Sequence, residues 1–414
     1  MGVKSRGNSV SGLRNGAGDE CSAAGRTLSD SDIEPEIVLD VPVQARALAQ
    51  LSQRQRSLYR RSRSLLASGE GVRALIRANI PLAGLGVYEA LLAQSWAVRF
   101  DDPERMVHLA KVALEVSDGF ARMIQPRRAI DLQARAWGEL ANAYRAADRL
   151  RSAQLAFGEA YALLKRGTGD QYLQARLFDL EASLLGTLRE FPIAIYRLSS
   201  LSNLYLDLGE THLAGRALIT NALYTFYAGD AEKAVKINQR GTNLIDQSKD
   251  PALFMFTLHN HLLFLVDLKL YPKAQRLLFD NRRHLIYKDR VNALRFRWAE
   301  GRVNYGMGNW LSAEIAFRDV KEGFSATGMS FHTALLALEL AMVLRGQGST
   351  DEALAEVIAA REIFLSFEIY REYLGSVIFL EEAFRRGEAT AELIEATVAQ
   401  INRKWIQAVP RQMR

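Results

Sequence analysis

The sequence predicts an all-α protein, a right-handed α-solenoid of stacked helix-turn-helix units spaced about 40 residues apart. Three observations carry that expectation. From Gly71 onward apolar residues recur at helical spacing with little interruption, and no stretch shows the two-residue alternation and β-branched enrichment of a sheet. Six alanines, Ala153, Ala194, Ala234, Ala274, Ala313 and Ala353, follow at steps of 41, 40, 40, 39 and 40 residues, the self-similarity of a repeat protein. Finally, 49% of the 414 residues are hydrophobic, with only 29 Gly and 9 Pro, which excludes a wholly disordered or collagen-like chain.

Residues 1–40 hold six Gly and six Ser with charges of both signs and no apolar periodicity, so they are expected to form a disordered tail. Their first twenty residues contain no apolar segment suited to a signal peptide, and no apolar run approaches the ~18 residues of a membrane span. A soluble cytoplasmic protein is the expectation. The single cysteine, Cys21, excludes a disulfide framework and a Cys-based zinc site.

Segment 41–70 is read as a basic amphipathic helix, over about 44–66, followed by a linker at Ser68-Gly69-Glu70-Gly71. Leu48, Leu51, Leu58 and Leu65 fall on one side of that helix. Arg46, Arg54, Arg56, Arg60, Arg61 and Arg63 fall on the other, with no acid between 41 and 66. Those six arginines equal the whole excess of 53 basic over 47 acidic residues. The remainder is balanced, which argues against nucleic-acid binding by the whole body. The arginine face itself suits phosphates, an anionic membrane surface or an acidic partner; alternatively, the leucine face docks on the solenoid and the arginines meet water.

Segment 71–130 reads as a degenerate leading helix pair, broken at Asp101-Asp102-Pro103, and 131–365 as six repeats. Twelve residues before each aligned alanine stand Ala141, Ala182, Ala222, Leu262, Gly301 and Ala341, small in five of six cases. Four residues after each come Phe157, Leu198, Asn238, Leu278, Phe317 and Val357, and five before each the turn position holds Asp148, Arg189, Gly229, Lys269, Gly308 and Gly348. Two antiparallel helices joined by a tight turn cross closely and need a small side chain at the crossing. One hairpin cannot bury its apolar face, so the units stack. Segment 366–414 reads as polar closing helices, with Glu381, Glu382, Arg385 and Arg386 as an exposed cluster.

The run Trp137-x2-Leu140-Ala141-x2-Tyr144, followed by Ala153, Phe157 and Ala160, resembles the tetratricopeptide repeat (TPR) signature, with Ala141 where the family usually has Gly. The Gly301, Gly308, Ala313, Phe317 unit is similar to it as well. The resemblance is to a bacterial-type TPR solenoid, although the family's usual period is 34. The longer step is assigned to longer helices or inter-unit loops, such as the stretch around Lys165–Tyr172. HEAT-like pairs have the longer period but lack this residue set.

Catalytic constellations are mostly missing from the sequence, and the chain is expected to be a non-enzyme without cofactor or metal. Gly306-Met307-Gly308 lacks the third glycine and the preceding strand of a phosphate cradle. His259 and His261 are two apart and point to different sides of a helix, and His108, His212, His284 and His332 have no carboxylate or His at i+4. Cys21 has no His beside it.

The TPR resemblance implies that the first helix of each unit lines a concave groove that binds protein or peptide. At one register of those helices stand Arg135, Arg176, Arg216 and Arg295, a column suited to clamping carboxylates of an acidic ligand. The competing reading makes them intrahelical ion pairs, Arg135 with Glu139 and Arg176 with Asp179. Asn142 partly echoes the Lys and Asn carboxylate clamp of some TPR proteins. Phe226, Tyr227, Trp298 and Tyr305 form a second candidate surface, with inter-repeat core as the alternative. The expected function is a scaffold or adaptor that binds protein or peptide in the groove. The alternative is a regulatory TPR sensor whose arginine helix contacts nucleic acid or an acidic partner.

Overall fold

The computed structural model describes residues 42–68, 70–281, 290–366 and 371–407, so tail 1–40, Cys21, Gly69 and His284 lie outside the described residues. Among the described residues there are nineteen α-helices and no strand. Three N-terminal helices, α1 (Pro42–Gln50), α2 (Gln53–Ala67) and α3 (Val72–Arg77), precede a succession of antiparallel pairs. The first pair is α4 (Leu85–Ala97) with α5 (Pro103–Asp118). Then come α6 (Pro126–Ala146) with α7 (Leu150–Leu164), α8 (Gln171–Thr187) with α9 (Phe191–Asp207), and α10 (Thr211–Tyr227) with α11 (Ala231–Leu244). Next are α12 (Pro251–Asp267) with α13 (Tyr271–Asp280), α14 (Arg290–Gly306) with α15 (Trp310–Ala326), and α16 (Ser330–Gly346) with α17 (Thr350–Ser366). The chain closes with α18 (Arg371–Arg385) and α19 (Ala391–Gln407). Most helices of the pairs pack mainly on their chain neighbours, α6 also touches α8 and α12 touches α14, whereas α2 packs chiefly on α4 and α19 on α16. The fold is a TPR-type α-solenoid. No helix among the described residues is long and apolar enough to cross a membrane.

Helix starts follow from local chemistry. Asp102, Asp170, Asp230 and Asp250 each accept a backbone N–H of the first turn, and Pro103 and Pro251 occupy initial helical positions where no donor is needed. Most paired helices run 17 residues with short turns between them, so the step near 40 residues comes from helix length.

The six aligned alanines lie on the second helix of each pair, and every one is fully buried. The small residues twelve positions earlier, on the first helix of each pair, are tightly enclosed as well. Ala141, Ala182, Ala222 and Ala341 are at most 1% exposed, and a Cβ added to Gly301 would lie 2.5 Å from Phe317 Cε1. Leu262 is the exception. It is itself buried, and with Leu258, Leu277, Leu278, Asn281 and Phe296 it lines a shallow recess.

All six turn positions adopt the left-handed region, with φ of 56° at Asp148, 60° at Arg189, 97° at Gly229, 56° at Lys269, 78° at Gly308 and 88° at Gly348. This turn ends the first helix and reverses the chain, and three units accept the strain of a side chain there.

Two expectations need correction. The basic segment is two helices, broken at Ser52, whose side chain accepts the N–H of Gln55 at 3.3 Å. On α2, Leu66 is fully buried and Leu58, Tyr59 and Leu65 pack against the core of α4. The contact is close, for a Cβ on Gly86 would lie 2.2 Å from Gln55 O. Arg105 of α5 donates to the carbonyls of Leu66 and Ser68, both at 2.7 Å, tying down the end of α2. The second correction concerns Glu381, which is buried, because its carboxylate accepts from Arg361 at 2.7 Å and from Arg385. Helix α19 packs on α16 and reaches Lys269 through Glu395 at 2.6 Å.

Gly348→Ala is expected to lower stability by about 1–2 kcal/mol, the cost of a Cβ in the left-handed region. A urea midpoint unchanged from wild type would show that the turn relaxes out of this conformation.

Candidate functional site

The arginine register is occupied mostly by a ladder that joins successive first helices. Arg135 of α6 donates to both oxygens of Glu89 on α4, at 2.7 and 3.0 Å. Arg176 of α8 donates to both oxygens of Glu139 on α6, at 2.8 and 3.0 Å, with Asp179 at 3.7 Å. Arg216 of α10 donates to Asp179 on α8 at 2.9 Å. All three arginines are buried, so this part of the column does not face a ligand. The intrahelical pairing of Arg135 with Glu139 is also corrected: Glu139 serves the next unit, because stacking carries the following first helix across it. Arg176 retains its intrahelical contact with Asp179.

Burial by itself lowers the pKa of a guanidinium. At Arg135 the carboxylates of Glu89 and Glu139 more than reverse that, and at Arg216 Asp179 does the same, so both stay firmly protonated. Arg176 also stacks 4.8 Å from the Trp96 ring centre. Such bidentate, enclosed pairs hold the angle and offset between units more than they add net stability.

Farther along, the chemistry changes. Arg302 of α14 pairs with Glu339 of α16, which also accepts the Trp298 indole N–H at 2.7 Å, and the Arg302 guanidinium lies 4.2 Å over the Trp298 ring. Here the arginine is on the earlier helix and the acid on the later one, the reverse of the first three rungs. Arg295 donates to Asn292 at 3.3 Å and is half-buried, as are Trp298, Arg302, His259 and His332. Desolvation, then the charges of Arg295 and Arg302, push the His259 and His332 imidazoles down to about 3, so both are neutral at pH 7.

The remaining candidates are mostly structural. Asn142 is 1% exposed and accepts from Arg145 at 3.1 Å, so it is not displayed as a clamp residue. Phe226 packs 5.0 Å from Phe264, and Tyr227 packs 5.6 Å from Phe191, both in inter-unit core. Tyr305 stands edge-on to Trp310 at 5.2 Å and is half-exposed. Among the described residues no three His, Cys, Asp or Glu side chains gather as a metal site. His212 Nδ1 accepts the N–H of Asp246 at 3.0 Å. Arg54, Arg56, Arg60, Arg61 and Arg63 are all exposed on α2.

Sequence reasoning missed Glu89, Arg302 and Glu339. A usable signal existed: Glu139 to Arg176, Asp179 to Arg216 and Arg302 to Glu339 are each 37 residues apart, slightly less than one repeat.

No protein-family model matches the sequence, and no curated protein matches it. Among solved structures, the chain is similar to a Rap protein in complex with competence and sporulation factor, with 11% identity and a TM-score of 0.52 over 77% of this chain and 87% of that one. A second similarity is to a signal transduction ATPase with numerous domains (STAND) from Pyrococcus horikoshii, described with a tetratricopeptide repeat sensor. Identity there is 16% and the TM-score 0.40, over 86% of this chain and 54% of that one. The first similarity supports the solenoid fold; the second is too distant to add weight.

Glu139→Leu is expected to cost about 3–5 kcal/mol by leaving Arg176 buried without its main partner, whereas Glu139→Leu with Arg176→Met recovers most of that loss. Urea denaturation of the wild type and the two variants checks it, and a single variant as stable as wild type would refute the rung.

Proposed function

We propose that this chain is a non-enzymatic TPR scaffold or adaptor that binds a protein or peptide along the concave groove of its first helices. One observation carries the reading. The first helices from α6 to α10 bury their arginines against each other's acids, whereas on α12, α14 and α16 the side chains of His259, Arg295, Trp298, Arg302 and His332 are only partly buried, with Trp298 and Arg302 held by Glu339. Arginine and tryptophan together on rigid helices are strong interface anchors, and rigid display limits the ordering cost of an extended ligand. The similarity to a solenoid solved with competence and sporulation factor supports a ligand-binding role.

Screening a random peptide library against the full chain and mapping the hits by hydrogen exchange tests this reading. Protection is expected on α12, α14 and α16. Protection confined to the outer helices α13, α15 and α17, or no hits, would overturn it.

A second reading, that α2 contacts nucleic acid or an acidic protein, is favoured by its exposed face. Arg54, Arg60 and Arg61 have no acidic partner among the described residues, while Arg56 donates to Ala49 O at 2.7 Å and Arg63 to Tyr59 Oη at 3.3 Å. The leucine face is consumed by docking on α4, so α2 has no apolar side left for a membrane. Because α2 belongs to the core, substitution rather than deletion is the clean test. Binding of a short DNA duplex is expected to weaken by about two to three orders of magnitude for a tenfold rise in salt, and to drop in the R54Q/R60Q/R61Q variant. Fluorescence anisotropy reads both, and no binding at low salt would sink this second reading.

A further inference from the structure

Helix α19 leaves the path of the solenoid. Helix α18 packs on α17 as the first helix of one more pair would, so a regular repeat would lay α19 against α18. It packs on α16 more than on α18 instead. Arg345, at the end of α16, donates to the carbonyl of Ala389 at 3.1 Å, so α19 starts beside that end. Ile394, Val398 and Ile401 recur at helical spacing and form a buried stripe in the core shared with α16. Farther back along the stack, Glu395 pairs with Lys269 of the turn after α12 at 2.6 Å. Burial and then the Glu395 charge push the phenol of Tyr305, near the end of α14, up to about 12. A helix that meets α16, the end of α14 and the turn after α12 lies on the side those first helices share, which is the groove.

The consequence shows on α16. Helices α15 and α17 take two of its sides, yet every residue from Thr333 to Leu344 is buried, so no side is left open over that run. On α14, the first helix before it, most described side chains are only partly buried. The covered run is rich in Leu and Ala, and its one charge, Glu339, is met by Arg302 and Trp298. Such a surface suits the apolar stripe of a helix laid into a groove rather than a polar extended chain. On its polar side α19 is held lightly, because the Lys269 and Glu395 side chains are 64% and 46% exposed and an exposed pair adds little.

We propose that α19 is a self-ligand: it fills the α16 end of the groove where a partner's amphipathic helix binds, and that helix enters by displacing it. The partner is recognised by the pattern α19 itself shows, an apolar stripe like Ile394, Val398 and Ile401 with an acid in the place of Glu395. The inference rests on the protein-binding reading above and names the class of ligand for one end of the groove. The apparent affinity for the partner helix is reduced by the fraction of chains whose groove is open, so loosening α19 tightens binding.

The probe is a fluorescent synthetic peptide with the sequence of residues 389–407, titrated into the full chain and followed by anisotropy. Glu395→Lys in the chain sets two cations against each other, which loosens the seated helix and leaves the groove itself unchanged. That variant is expected to bind the peptide about threefold more tightly than wild type, and I394D/I401D about tenfold. If I394D/I401D does not fold, the surface variant E395K carries the comparison alone. A peptide with aspartates in place of the same two isoleucines is expected not to bind. In isotope-labelled wild-type chain, excess peptide is expected to speed hydrogen exchange across α19, whereas a purely structural closing helix would stay protected.

Unchanged exchange at α19, equal affinity of wild type and E395K, or binding of the aspartate peptide would each overturn the self-ligand. Library peptides that protect α12 and α14 while α19 keeps its own protection would overturn it and leave the binding function standing. Absence of protection on the first helices by any peptide would remove both.

Discussion

Close crossing of two helices at a side chain no larger than a methyl group is the constraint on which this molecule depends. At Ala153 and four of its five equivalents the buried alanine of the second helix is matched by an alanine or glycine on the first. That approach sets the pair geometry, the left-handed turn five residues earlier allows it, and the exposed apolar flank of one pair becomes the bed for the next. The rule lapses at Leu262, which lines a shallow recess.

Stacking creates a second requirement, a fixed offset between neighbouring first helices. Apolar packing tolerates sliding, whereas a buried carboxylate paired bidentately with a guanidinium has one satisfactory position. Glu89–Arg135 and Glu139–Arg176 meet that demand, and Asp179–Arg216 continues it. The same burial that makes these pairs good spacers makes them poor ligand contacts. The solenoid changes along its length: below α12 the acids and arginines are deeply buried, and between α14 and α16 Arg302, Trp298 and Glu339 form a cluster in which the arginine and the indole are only partly buried.

The N-terminal basic segment shows how far a pattern reaches. Its leucine stripe and arginine face were both legible, and the stripe does dock on α4. The break at Ser52 was not, because a capping serine between two short helices leaves the apolar periodicity nearly continuous. Nor was the contact of α1 with α8, where Arg46 lies 4.0 Å over Tyr172, since no local pattern links residues so far apart. Similarly, Trp298 was legible as a candidate by register, but its partner Glu339 lies a full unit away.

By itself, the sequence determined the helical class, the period, the crossing alanines and the turn positions. All are settled within one hairpin, over about a dozen residues, where side-chain size and backbone conformation act locally. Only the tertiary structure decided which arginines are spacers and which face outward. Arg135, Arg176 and Arg216 share one register, and each is met by an acid that the preceding unit presents: Glu89, Glu139 and Asp179. The physical reason is that the free energy of a charged side chain is set by the dielectric and the counter-charge around it. In a solenoid both are supplied by a neighbour nearly forty residues away in the chain.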